Sequence, residues 1–562
     1  MRKGQILALA IVALAVLLPT TAVGSSGASG AGEYVVLYAE GASLASARQA
    51  VEAAGGTVVK ENRDVGVATV TSTDGSFLTN VAAQPALEGA ARNVPLGKVA
   101  PLQRASRDEV EKLTAAERAA AKGGGAQAAP APSPEPLAGL QWDMAMIHAT
   151  ADGSYKVQQG SKSVLVGILD TGIDGTHPDI APNFDAALSR NFTTDIPDID
   201  GPCEHAGCVD PANEDDDGHG THVAGTVGAA LNGLGIAGVA PNVTLVNIRA
   251  GQDSGFFFLQ PTLDALTYAA NNGIDVVNMS YFVDPWLFNC RRNPADTPEQ
   301  QMEQRTIVDA VSRALRYAHT HGVTLIASEG NENTNLNNPT TDDTSPDYPP
   351  GTEYLRNVDN SCLVIPTEGP HVISVGAVGP SGIKADYSNW GTEQTAVTAP
   401  GGYFRDFAGT PQNRQVTNLI LSAYPESLAI LNGDLNPDGT PNNPFVVRDC
   451  QGATCAYYQY LQGTSMASPH AVGVAALIVS EGGARDRSSA TGGLTMNPDR
   501  VETVLERTAT NVPCPDPRLI DYTIPGRDRT PDYNALCTGN AKFNSIWGDG
   551  IVDALAAVRG TH

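Results

Sequence analysis

Three short segments carry side chains that could do chemistry together: ILDTGIDGTHPD around Asp170, DDDGHGTHVAGTVGAAL around His219, and LQGTSMASPHAVGVAAL around Ser465. Acyl transfer needs a hydroxyl nucleophile, an imidazole to take its proton and a carboxylate to orient that imidazole, and no single residue supplies all three. The order along the chain, Asp then His then Ser, is one of the few in which unrelated folds assemble this set. Each short motif alone would fit an ordinary strand end or helix start. All three in order, with long flanks, do not. Pairing His219 with His222 as metal ligands is the weaker reading, because the HExxH glutamate is missing and the spacing is three. His222 reads as a packed helix residue.

The elements that must position these residues are legible beside them. VLVGILD, residues 164–170, is a β-rich run of the fully buried, parallel-sheet kind. It ends at Asp170 and Gly172, which places Asp170 at the carboxyl end of a central strand, where open α/β sheets put their sites. His219 is followed by THVAGTVGAAL, small and apolar residues suited to a helix pressed against a sheet. Ser465 opens ASPHAVGVAALIVS, with Pro469 expected inside the first helical turn. A nucleophile at a helix N-terminus gains from the positive end of the dipole.

Together these segments resemble the serine proteases of the subtilisin family. The resemblance implies a doubly wound α/β fold with a mainly parallel sheet, preceded by a small α+β propeptide domain. It implies Asp170 as the orienting carboxylate, His219 as general acid/base and Ser465 as nucleophile. VTLIASEGNEN, residues 323–333, is similar to the strand and loop that carry the family's oxyanion hole, and Asn331 matches its asparagine donor; a turn residue beside Gly330 is the bland alternative. The family's NMSLGG segment, a strand edge that pairs with substrate backbone, stands here as Asn278-Met279-Ser280-Tyr281-Phe282-Val283, with bulky residues in place of the glycine pair. Ser280, Tyr281, Phe282, Ser328, Glu329 and Gly330 are therefore the expected substrate-binding residues. Glu329 would favour a basic side chain if it points into the cleft, or it faces a surface loop. From His219 to Pro241 the chain aligns to subtilisins without a gap, so Asn232 and the backbone of Ala230, Leu234 and Ile236 match a calcium-binding loop and Asp179 its carboxylate. Glu214, Asp215, Asp216 and Asp217 form a second calcium candidate, against a solvated acidic loop. The resemblance calls for no cofactor in the chemistry, only Ca2+ as a structural ion.

Composition divides the chain in the same way. Residues 1–24 read as a signal peptide, with Arg2 and Lys3, an apolar run from Ile6 to Leu18 and Ala22-Val23-Gly24 as cleavage site. That run is too short for a membrane span, and an uncleaved anchor is the competing reading. Residues 25–100 alternate short strands with Ala-rich amphipathic stretches and are similar in pattern to the intramolecular inhibitor and folding propeptide of subtilases; a permanent accessory domain is the alternative. Residues 101–136 form a charged, then Gly/Pro/Ala-rich linker where maturation would cut. Residues 137–562 are the expected catalytic domain, with polar insertions at 183–217, 283–305, 332–369 and 402–460 beyond the family's minimal core, of a length that is functional or tethered and expected to rim the cleft.

The net charge is −26, and 49 of the 61 acidic residues with 23 of the 35 basic ones fall in 137–562. That balance argues against a nucleic-acid partner. The expected partners are protein or peptide substrates and the chain's own propeptide, in a secreted, extracellular monomer with no membrane attachment after signal removal. All eight cysteines lie in 137–562, which suits disulfides in an exported protein. Eight cysteines allow roughly a hundred pairings; proximity in sequence suggests Cys203 with Cys208, Cys450 with Cys455 and Cys514 with Cys537, leaving Cys290 with Cys362. A secreted binding protein on the same scaffold is the alternative from another functional class, and the intact set of Asp170, His219, Ser465 and Asn331 argues against it.

Overall fold

Period-two alternation builds the first unit of the fold. In a computed structural model that describes residues 32–93, 110–122, 135–485 and 493–561, β1 (Gly32–Tyr38), β2 (Thr57–Asn62), β3 (Val67–Ser72) and β4 (Leu87–Arg92) form an antiparallel sheet in the order β2-β3-β1-β4. Val36, Ala68, Val70 and Ala90 turn to one face and pack on α1 (Leu44–Ala53) and α2 (Phe77–Ala82). Val35, Leu37, Val67 and Ala91 turn to the other and join the core of the larger unit. The signal-peptide reading of 1–24 and most of the 101–136 linker lie outside the described residues. A short segment of that linker, 110–122, is described and carries α3 (Ala115–Ala120), begun by a reciprocal capping pair between Thr114 and Glu117.

The larger unit is a seven-stranded parallel sheet. Its strands are β5 (Leu165–Leu169), β6 (Arg190–Asn191), β7 (Thr244–Arg249), β8 (Val276–Met279), β9 (Thr324–Ser328), β10 (Val372–Val378) and β11 (Val397–Pro400), in the order β11-β10-β9-β8-β5-β7-β6. Every neighbouring pair is parallel. Because side chains alternate across a strand, each strand feeds two cores. Val166 and Ile168 face helices α4 (His219–Gly228) and α7 (Thr464–Gly482). Leu169, Val246 and Ile248 face α5 (Leu259–Asn271) and α6 (Pro298–Thr320). The chain leaves β5 for one edge of the sheet, returns through β7 and then crosses to β8 on the far side of β5. The carboxyl end of β5 therefore opens at a change of winding direction, where such sheets leave a crevice.

All four of the expected loop insertions contain regular structure: β6 lies inside 183–217, and 332–369 holds three two-residue strands. Helix α6 begins inside 283–305, where Thr297 and Gln300 cap it reciprocally and Pro298 takes the first helical position. Within 402–460, β12 (Ile420–Tyr424), β13 (Val446–Gln451) and β14 (Thr454–Leu461) form an antiparallel sheet in the order β12-β14-β13. The apolar residues of these strands are diluted by Asn, Asp and Gly in the turns between them, which hides the strands from a composition reading. The 283–305 and 332–369 insertions share a small core that includes Leu287, Leu336 and Val364. There Arg356 is wholly buried between Asp296 and Asp342 and lies over the Trp286 ring. Such a buried cation is tolerated because both carboxylates and the Phe288 carbonyl accept hydrogen bonds from its N–H groups.

Four disulfides form, in the pairing that sequence proximity suggests. Cys290–Cys362 spans a separation of 72 residues and Cys450–Cys455 one of 5. Loop closure in the unfolded chain is worth about 4 kcal/mol for the first and about 2 kcal/mol for the second. Replacing Cys290 and Cys362 together by alanine should lower Tm more than replacing Cys450 and Cys455, measured by thermal unfolding at one pH; equal losses would contradict the loop-length argument.

Candidate active site

The three expected residues arrive from three elements. Asp170 follows directly on β5 and is wholly buried; its Oδ1 accepts from the Thr171 amide at 2.8 Å and lies 2.6 Å from His219 Nδ1. His219 is the first residue of α4, and Gly220 beside it lets that helix touch the strand end: a Cβ on Gly220 would meet the Gly172 carbonyl oxygen at 2.1 Å. Ser465 is the second residue of α7.

Asp215, grouped by sequence with a calcium candidate, instead organises the start of α4. Its buried carboxylate accepts from the amides of Gly218 (2.9 Å) and Thr221 (2.9 Å) and from the hydroxyls of Thr221 (2.6 Å) and Thr171 (3.0 Å). Thr171 Oγ1 accepts in turn from the Gly220 amide. One side chain thus satisfies several orphan donors of a helix N-terminus and ties His219 to the segment after Asp170. His222 is buried in the same helix, with Nε2 against the carbonyls of Ile420 and Gln459 at 3.2 and 3.1 Å. Burial, then the neighbouring His219, pushes it down to about 3, so it stays neutral and structural.

The Ser465 side is fixed by two networks. Thr464 donates to Asn331 Oδ1 through both its amide and its hydroxyl, each at 2.9 Å, and its hydroxyl accepts from the Gly330 amide at 3.0 Å. With its oxygen engaged, Asn331 turns its Nδ2 donors toward the space above Ser465, the geometry an oxyanion donor needs. The second network answers a defect in α7. Pro469 is the sixth residue of that helix, beyond the expected first turn, and having no N–H it leaves the Ser465 carbonyl without its helical partner. The Ser280 hydroxyl supplies one at 3.1 Å. Asn278, at the end of β8, donates to Ser280 Oγ and accepts from Ser468, so the helix start is bolted to the sheet.

At several of the expected substrate-binding positions the side chain is engaged within the fold. The Ser280 side chain serves the helix, and only its carbonyl oxygen stands near Ser465 Oγ, at 3.5 Å. Tyr281 is buried and stacks on Phe257 with ring centroids 4.1 Å apart. Phe282 packs against the small core of the insertions. Phe282 and Val283, which stand where the resembled segment has its glycine pair, are thus packed against two cores of this chain. Ser328 ends β9 with its carbonyl accepting from Thr367. Gly330 has φ +103, and a Cβ there would meet Asn389 Nδ2 at 2.4 Å. Glu329 points away from the cleft: it is wholly buried, accepts from Thr395 Oγ1 at 2.6 Å, and burial pushes its carboxyl up to about 8.

The expected calcium loop is occupied by its own hydrogen bonds. Asp179 accepts from Asn232 Nδ2 (3.0 Å), the Ile236 amide (3.2 Å) and Tyr458 (2.6 Å), and Asn232 Oδ1 accepts from the Leu234 amide. The Ala230 amide donates to the Asp179 carbonyl, and Gly233 donates to Glu135. The loop aims donors at its carboxylates, which does not suit a cation as folded. A second group of carboxylates lies elsewhere. Asp195, Glu204 and Asp253, and Asp210, Asp216 and Asp253, bring carboxylate oxygens within 4.8 Å of one another. Both oxygens of buried Asp195 lack a hydrogen-bond partner, and burial with the charge of Asp210 pushes its carboxyl up to about 6. Arg249, paired with Asp210 and Asp253, is buried in the same place.

The subtilase family's sequence model matches residues 161–529. The chain is 28% identical over 332 residues to a thermophilic serine proteinase of Bacillus sp. strain AK1, covering 59% of this chain and 56% of that one. It is 29% identical over 329 residues to subtilisin DY of Bacillus licheniformis, covering 58% of this chain and 81% of that one. The match to the first thus spans little more than half of that relative's length. The crystal structure of an epidermin leader peptide processing serine protease from Staphylococcus aureus has the same fold, with a TM-score of 0.59 at 20% identity over 94% of this chain and 98% of that one.

The raised carboxyl of Glu329 has a consequence for stability. An unfolded glutamate releases its proton near 4.5, while the folded one holds it to about 8. The folded state binds more protons across that window, so this group's contribution falls as pH rises through it. Glu329→Gln should gain Tm relative to wild type between about pH 5 and about pH 8, followed by thermal unfolding across the range; a constant difference would mean that Glu329 is ionised in the fold.

Proposed function

The chain belongs to the subtilase family, and on that premise we propose that it is a secreted serine endopeptidase, made as a self-processing precursor, that hydrolyses peptide bonds in proteins through an acyl-enzyme on Ser465. The observation that carries this reading is the 2.6 Å Asp170–His219 bond set beside a Ser465–Asn331 pair whose amide orientation is fixed by Thr464. Ser465 Oγ attacks the substrate carbonyl carbon as His219 Nε2 takes its proton, and Asp170 holds Nδ1 and stabilises the imidazolium. Asn331 Nδ2 and the Ser465 amide, in the first turn of α7, stabilise the oxyanion. His219 then protonates the leaving amine. Water, deprotonated by His219, attacks the acyl-enzyme and releases the acid.

Residues 1–24 act as signal peptide, 25–100 as inhibitor and folding propeptide, 101–136 as the region of maturation, and 137–562 as a monomeric extracellular enzyme. The packing of the 32–93 sheet on α5 and α6 supports the inhibitor reading: Arg92 pairs with Glu303 at 2.8 Å, Lys60 with Asp264 at 2.8 Å, and Arg313 reaches the carbonyls of Tyr38 and Val65. Four disulfides fit an oxidising compartment. Among the described residues no helix is long and apolar enough to cross a membrane. Calcium, as a structural ion, would sit among Asp195, Glu204, Asp210, Asp216 and Asp253, where both oxygens of buried Asp195 lack a hydrogen-bond partner.

Full-length wild type should digest a denatured protein substrate and shorten to its mature size, and Ser465→Ala should do neither; processing of the alanine variant in a purified preparation would contradict the reading. If calcium is bound, saturating it at about 100 times Kd should stabilise the protein by about 2.7 kcal/mol. Thermal unfolding with calcium and with a chelator reads this, and Asp195→Asn should shrink the shift; an unchanged shift places the ion elsewhere.

A further inference from the structure

Residues 110–122 cross the cleft by a route of their own. Glu111 Oε1 accepts from Ser465 Oγ at 2.8 Å and lies 3.5 Å from Asn331 Nδ2, while Oε2 stands 3.6 Å from His219 Nε2. The Glu111 side chain is buried, and its Cγ lies against the glycine at position 463, where a Cβ would meet it at 3.1 Å. Gln462 holds the backbone on either side, its amide donating to the Glu111 carbonyl at 3.2 Å and its side chain to that of Val110 at 3.0 Å.

The rest of the segment is anchored on the 402–460 insertion. Leu113 is buried among Phe404, Val416 and Leu419. Arg405 donates to Glu117 Oε1 through Nη2 at 2.8 Å and Nε at 3.1 Å. Lys122 pairs by backbone with Arg414 and Val416. These contacts are independent of those made by the 32–93 sheet, which packs on the opposite side against α5 and α6.

We propose that residues 110–122 are a plug separate from the 32–93 unit, and that the 402–460 insertion is the binding surface built to seat it, with Glu111 in the oxyanion position and Glu117 on Arg405. The proposal rests on the endopeptidase reading and says how that same site is kept shut. A hydroxyl has one proton, and the one that Ser465 gives to Glu111 is not offered to His219. A carboxylate facing His219 Nε2 also favours the imidazolium, which cannot act as a base. The plug survives its position because the group at Ser465 is a side-chain carboxylate, which has no leaving group to expel and carries the negative charge that attack would have to develop. A peptide carbonyl can reach Ser465 only after Glu111 withdraws, so release of this segment precedes every turnover, including self-processing.

The test is the rate at which a fluorophosphonate labels Ser465 in the full-length precursor, sampled before any cleavage is seen on a gel. Glu111→Ala precursor should label about 10- to 100-fold faster than wild type, the ratio expected for losing a charge-assisted hydrogen bond, and Glu117→Ala should move in the same direction by less. Processed forms of all three should label alike, which separates release of a plug from damage to the site. Should Glu111→Ala fail to fold, a synthetic 110–122 peptide added to processed wild-type enzyme should inhibit it, and the same peptide with Glu111→Ala should inhibit about 10-fold or more weakly. Equal labelling of the wild-type and Glu111→Ala precursors, or equal inhibition by the two peptides, overturns the plug and leaves the endopeptidase reading standing. Absence of labelling in every form, processed or not, removes both.

Discussion

A wholly buried carboxylate has to hold an imidazole at 2.6 Å, and much of the surrounding structure follows from that requirement. Removing Asp170 from water is costly, and the Thr171 amide and the His219 ring return part of that cost as short, charge-assisted hydrogen bonds. The approach this demands between a strand end and a helix start leaves no room for a side chain at Gly220. It also exposes helix donors to a dry interior, and Asp215 collects them. The small, apolar sequence of α4 is thus a consequence of where His219 must stand.

The Ser465 side meets the opposite difficulty. Its helix carries a proline where a backbone donor is needed, and the deficit at the Ser465 carbonyl is made good from β8 through Ser280 and Asn278. That makes the sheet the common reference for both halves of the site: β5 carries Asp170, β8 steadies Ser465, and β9 leads into Asn331. Rigid elements of this kind hold a constellation more closely than loops do. The long insertions, with their own small cores and disulfides, add surface around that frame without carrying any of its three central side chains.

What was legible in the sequence was the part written in local pattern. The apolar run of 164–170, the small-residue helix after His219 and the helix after Ser465 each state their element within a dozen residues, and the strand and helices lie where those runs put them. Contacts between distant segments left no such mark. Tyr281 and Phe282 look like rim residues until Phe257 and the insertion core are seen to bury them. Glu329 sits two positions from Asn331, yet just past the end of β9 its side chain turns inward to Thr395. Thr464 could have been suspected from its place beside Ser465, since a hydroxyl there can orient the asparagine. Glu111 could not, because nothing in a charged linker distinguishes one glutamate from the next until the fold brings it to Ser465.

The central claim is that Ser465, activated through His219 and Asp170, is the nucleophile. Mapping the adduct of a stoichiometric fluorophosphonate by peptide mass spectrometry tests it directly. The account predicts one phosphonylated residue, Ser465, with the adduct lost in both His219→Ala and Ser465→Ala. An adduct on another serine, or undiminished modification of Ser465 in the His219 variant, would contradict it.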